Sequence, residues 1–238
     1  MMTLNHGLSG YVCGRVAAPL IHRRSGLPEG LLAFGFLLGA ALPDVDALAN
    51  VLGAQSYFSG AWYGHRHASH SIVGTWVLAL IAAAPLALWA VRRREIPWRR
   101  AYPWLVLCAW LGGLLHIVGD LFTPRWPLPV FWPLPGEYGA FSHIGWFSPF
   151  LLWFFLGVLA LEGLIRIAVR WPLRAARWQG FAVWGLYAFA AWRWIDYLVD
   201  SRYVSPTQWE AYQHTLLPEA MIGPASATVH ALWHWMVR

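Results

Sequence analysis

Residues 101–122 read AYPWLVLCAWLGGLLHIVGDLF. About 20 apolar residues cross the hydrocarbon core of a bilayer, and this stretch is long and apolar enough to do so. Near its far end, however, it carries His116 and Asp120. Ionisable groups at membrane depth are costly and mark functional sites. Their spacing puts both side chains on one helix face. The pair therefore reads as two ligands of one ion, as a carboxylate orienting a ligating histidine, or as a buried His–Asp hydrogen bond.

Further apolar runs lie on either side, at residues 4–21, 31–48, 69–91, 146–167 and 178–199. The first is Gly-rich and carries Arg15, so it either spans or only dips in. Of the 238 residues 58% are hydrophobic, 12% are charged and 18 are Trp. A water-soluble domain could not bury that surface, and a disordered chain needs the opposite composition. The expected fold is all-α: a polytopic membrane bundle of five to six transmembrane helices. Residues 1–199 read as the transmembrane domain. Residues 200–238 read as a periplasmic or interfacial tail whose Trp209, Trp233 and Trp235 suit a headgroup-level aromatic belt. No basic stretch precedes the first apolar run, which argues against a cleavable signal peptide. Cys13 and Cys108 lie inside apolar stretches and read as small buried hydrophobes.

The net charge is +6, and every basic residue is Arg. The arginines cluster beside apolar runs, which points to membrane loops rather than to a nucleic-acid partner. Alternate loops hold eleven of them: Arg23 and Arg24; Arg92, Arg93, Arg94, Arg99 and Arg100; and Arg166, Arg170, Arg174 and Arg177. Four lie in the remaining loops and tail: Arg66, Arg125, Arg202 and Arg238. By the positive-inside bias the Arg-rich loops face the cytoplasm. That topology places His6, Asp44, Asp46, His65, His67, His70, His116, Asp120 and His143 on the opposite face. A shared cation would compensate such a gathering of carboxylates. His-rich short tracts such as His65-Arg66-His67-Ala68-Ser69-His70-Ser71 suit metal binding, or form a solvated loop in which Ser69 or Ser71 caps the next helix. Asp44 and Asp46, after Pro43, present two carboxylates at a helix end, or a helix stop with Asp46 as N-cap. His230 and His234 read as interfacial, and Glu162 and Asp196 as intramembrane partners of Arg166 and Arg193.

Asn5-His6-Gly7, Leu42-Pro43-Asp44-Val45-Asp46, Gly64-His65-Arg66 with Ser69-His70-Ser71, and the run from His116 through Asp120 to Pro124 occur in order, with Trp132-Pro133 after them. The chain thereby resembles the bacterial inner-membrane, membrane-bound metal-dependent hydrolases whose namesake is LexA-regulated. It is more distantly similar to zinc-dependent phospholipase C. The resemblance covers residues 5–135. It favours His65 and His70 over His67, because the family usually has Gly at the position of His67. It implies a multi-pass inner-membrane hydrolase, with a site that the arginine topology turns to the periplasm.

The expected metal ligands are thus His6, Asp44, Asp46, His65, His70, His116 and Asp120. The mixed His nitrogen and Asp oxygen set, without thiolate, suits Zn²⁺, in two or three ions, and tolerates Mn²⁺. Zinc lowers the pKa of a bound water toward ~7. Asp44 or Asp46 is the expected general base and Arg66 the clamp on phosphoryl oxygens. The expected substrate is a phosphoester of a membrane lipid. The alternative is a non-enzymatic metal-binding transporter or envelope scaffold.

Overall fold

The computed structural model describes residues 3–46, 67–121, 128–138, 149–168 and 175–200. His65, Arg66, His143 and the tail with His230 and His234 lie outside the described residues. Six α-helices occupy the six apolar runs: α1 (Thr3–Ser25), α2 (Glu29–Ala41), α3 (Ile72–Arg94), α4 (Trp98–Leu121), α5 (Pro149–Ala168) and α6 (Ala175–Asp200). Two short 3₁₀ turns, Leu42–Asp46 and Ala68–His70, follow α2 and precede α3. Among the described residues there is no strand, only an isolated bridge between Leu128 and Tyr138. The all-α expectation holds.

Among the described residues, α3 and α4 are the two helices long and apolar enough to cross a membrane, against the five to six spans expected. The run at 31–48 does not form one spanning helix. Its helix, α2, stops after 13 residues, a length of about 20 Å at 1.5 Å per residue. Pro43 explains the stop, since it brings no N–H to the ladder.

The first four helices alternate in direction, so α1 and α3 begin where α2 and α4 end. Small residues let their backbones touch. Gly7, Gly10 and Gly14 of α1 lie against α2. Between α2 and α4 the approach is closest: a Cβ on Gly39 would collide with the Ala109 carbonyl, and one on Gly112 with the Phe36 carbonyl. Leu32, Phe36, Ala79, Ala83, Leu105 and Cys108 fill the core between α2, α3 and α4. A second core joins α1 to α5 and α6 through Val12, Leu151, Phe155 and Tyr187.

Alternation has a consequence for charge. Arg23, Arg24, Arg92, Arg93, Arg94, Arg99 and Arg100 all fall at one end of this four-helix bundle. His6, Asp44, Asp46, His70, His116 and Asp120 all fall at the other.

Candidate metal centre

His116 sits one turn after Gly112 on α4. The close approach that Gly112 permits brings its ring to the last turn of α2, where helix carbonyls lack intrahelical partners. His116 Nδ1 lies 2.7 Å from the Ala40 carbonyl oxygen. In the 3₁₀ turn that follows, the N–H that would reach this carbonyl belongs to Pro43, which has none. Because a carbonyl only accepts, Nδ1 carries the hydrogen. His116 Nε2 is therefore a lone pair. It is buried and has no hydrogen-bond partner among the described residues.

Two carboxylates face that nitrogen. Asp44 Oδ1 and Asp120 Oδ2 each lie 3.6 Å from His116 Nε2. The same two oxygens lie 3.4 and 3.6 Å from His70 Nε2. Each of these two carboxylate oxygens thus lies 3.4–3.6 Å from both imidazole nitrogens. Metal–ligand bonds of 2.0–2.2 Å at tetrahedral or octahedral angles put neighbouring donors roughly 3.0–3.5 Å apart. The residues present fit a cation.

His70 is held from its far side. Ser71 caps α3 by accepting from the Gly74 N–H at 2.9 Å, and this fixes the preceding turn. His70 Nδ1 lies 2.9 Å from Ser69 Oγ, and the Ser69 hydroxyl donates to Asp46. Asp46 Oδ2 is itself 3.4 Å from Nδ1. The relay puts a hydrogen on Nδ1 and turns Nε2 toward Asp44 and Asp120, the arrangement by which outer groups orient ligating histidines. Burial opposes charge on His70, but the Asp44 and Asp46 carboxylates outweigh it and push the imidazole up to about 9. Burial likewise opposes charge on Asp44. Its contacts with the neighbouring imidazoles of His116 and His70 outweigh it, holding the carboxyl well below the usual carboxylate range.

His6, near the start of α1, is buried and stacks on His116 with ring centroids 3.7 Å apart. Its Nε2 lies 3.0 Å from Asp120 Oδ1. Two groups able to hold an ion follow: Asp44, His70 and His116, and His6, His116 and Asp120. They share the one free ring nitrogen of His116, so they serve one ion at a time.

Of the seven expected ligands, the fold brings together His6, Asp44, Asp46, His70, His116 and Asp120. His65 and the expected clamp Arg66 lie outside the described residues. Asp46 stands behind His70 rather than beside the donor atoms. His67 takes part through its backbone, its carbonyl accepting from the His70 N–H at 3.0 Å. Two contributors escape a reading of side-chain motifs. Ser69 suggests a cap, and only its place beside His70 hints at the relay. The Ala40 carbonyl has no side chain to read, although Pro43 three residues on is a signal.

Residues 1–200 match the family model described as YdjM inner membrane protein, so the chain belongs to that family. No curated protein and no solved structure matches it.

Proposed function

We propose that this YdjM-family membrane protein is a metal-dependent hydrolase that cleaves a phosphoester of a membrane lipid at the periplasmic face. The observation that carries the reading is His116 Nε2: a buried lone pair, its tautomer fixed by the Ala40 carbonyl, facing two carboxylates. Three carboxylates, Asp44, Asp46 and Asp120, gather at this centre. A divalent cation held there would offset their mutual repulsion.

In this reading Asp44, His70, His116 and Asp120 hold the ion. His6 donates to Asp120 and fixes its rotamer. Asp46, through Ser69, does the same for His70. A zinc ion bound there supplies Lewis-acid activation of water and of a phosphoryl oxygen, and Mn²⁺ can replace it. Whichever carboxylate the ion leaves free, Asp44 or Asp46, would take the proton from the attacking water. Arg66 keeps the role its charge suits, holding the phosphoryl oxygens. The polar groups collect at one end of the bundle rather than at its middle, which suits a surface reaction better than passage through the membrane.

The test is metal per chain in purified protein, followed by phosphate-ester release from mixed phospholipid vesicles. Turnover that a chelator abolishes and zinc restores supports the reading. Bound metal without turnover on any lipid or phosphodiester assigns the centre to the non-enzymatic class, a metal-binding transporter or envelope scaffold. Absence of metal overturns both.

A further inference from the structure

Residues 128–138 form a tight loop at the same end of the bundle as the metal centre. Leu128 and Tyr138 exchange backbone hydrogen bonds of 2.7 and 2.8 Å. The Ile72 N–H, at the start of α3, donates to the Val130 carbonyl at 2.9 Å. Below, Leu128 and Val130 pack with Ile117, the neighbour of His116. Three prolines, Pro129, Pro133 and Pro135, restrict the backbone. The loop is thus firmly attached within one turn of His70 and one residue of His116.

Its outer surface is apolar. Phe131, Leu134 and Tyr138 are 48%, 66% and 43% exposed, and Phe131 meets the edge of Tyr138. Within 128–138 the one charged residue is Glu137. The loop is bonded to the start of α3, a helix able to cross a membrane on which Val73, Trp76, Val77 and Ile81 are exposed. Exposed apolar residues grouped in this way mark an interaction site rather than scattered surface residues. Aromatic rings with a polar edge favour the level where acyl chains meet headgroups.

We propose that residues 131–138 insert into the headgroup–acyl boundary of the bilayer and hold the metal centre at the depth of lipid phosphates. The occupant of this surface is lipid. The attachment of the loop to the start of α3, a helix able to cross a membrane, argues for it, as does the near absence of charge. The insertion stands on these observations alone; the claim about phosphate depth rests on the hydrolase reading and deepens it.

Leu134 is the residue to probe, in the full chain with Cys13 and Cys108 replaced by Ala. Leu134→Cys, labelled with an environment-sensitive fluorophore, is reconstituted into phosphatidylethanolamine–phosphatidylglycerol vesicles. The expected result is strong quenching by lipids carrying a nitroxide near the headgroup. Lipids labelled near the acyl terminus and aqueous iodide should quench weakly. Metal content equal to that of the unlabelled protein checks the fold. Dominant quenching by iodide puts the loop in water and overturns the proposal. Quenching by no probe shows a protein cover, a second copy or another chain, and overturns it too. Leu134→Asp should lower turnover of vesicle lipid about tenfold while leaving metal content unchanged, since a charge is costly at that depth. Insertion with undiminished turnover would refute the control of site depth. If the unsubstituted protein turns over nothing, the hydrolase reading fails while the quenching result still decides insertion.

Discussion

Where α1 and α3 begin, the carboxylates of Asp44, Asp46 and Asp120 face imidazoles. Half-way along α1, about 14 Å further on at 1.5 Å per residue, a carboxylate is treated otherwise. Glu162 of α5 receives Arg166 at 2.6 and 2.8 Å, Arg15 of α1 at 3.1 Å, and the Tyr187 hydroxyl of α6. Arg15 also lies over the Tyr187 ring, 5.2 Å from its centroid. The second cluster carries its own counter-charge and ties three helices together. The first gathers three carboxylates and three imidazoles in one place. Carboxylates matched by guanidinium tie helices together; carboxylates gathered with imidazoles are a candidate seat for a cation.

The contrast can be broken most decisively at its two carboxylates. Asp120→Ala should abolish bound zinc and, with it, hydrolysis, while the helices persist, as elemental analysis and circular dichroism will show. Glu162→Ala should do the reverse. Removing one partner of a buried ion pair costs about 3–5 kcal/mol, so thermal unfolding in detergent should shift strongly while metal per folded chain stays unchanged. Loss of metal in Glu162→Ala would erase the distinction between the clusters.

Smaller effects sharpen it. Ser69→Ala removes the relay between His70 and Asp46 and should weaken zinc affinity about tenfold, at the lower end of what outer groups contribute. A competitive zinc chelator measures this. His70 must lose a proton to ligate, and without metal its pKa lies at about 9. Zinc affinity should therefore rise with pH through neutrality and level off as pH passes that value, with protons released on binding. A titration in two buffers of different ionisation enthalpy counts them. The smallest change should come from His67→Ala, because its contribution is a backbone carbonyl that Ala retains. Equal loss of metal in His67→Ala and His70→Ala would show that its imidazole matters.

The six helices were legible as six apolar runs, and arginine counts alone placed the His/Asp residues at one end. The end of α2 was legible too, where Pro43-Asp44-Val45-Asp46 breaks the apolar run; the 3₁₀ turn those residues form was not. His116 and Asp120 were legible because helical spacing is a local rule. The division of labour between Asp44 and Asp46 was not, since it depends on the pitch of a 3₁₀ turn and on Ser69, 23 positions later. The pairing of Glu162 with Arg166 could be read at four residues' distance. Its pairing with Arg15, 147 positions away, could not.

The hydrogen bond from His116 to the Ala40 carbonyl does not use the Ala40 side chain, which is fully buried against Gly10. A residue no larger than Ala leaves the same oxygen in the same place. Control passes instead to Gly112 and Gly39, which never meet the ion. An added methyl at either one pushes α4 off α2, lengthens that bond and frees the ring to exchange its tautomer. The mutational tolerance of this candidate metal centre should thus be inverted: a residue whose own backbone holds a candidate ligand accepts small replacements, while glycines a turn away accept none. A survey of single substitutions should find the steepest loss of bound metal outside the ligand set along this seam, and near silence at Ala40 for residues small enough to fit.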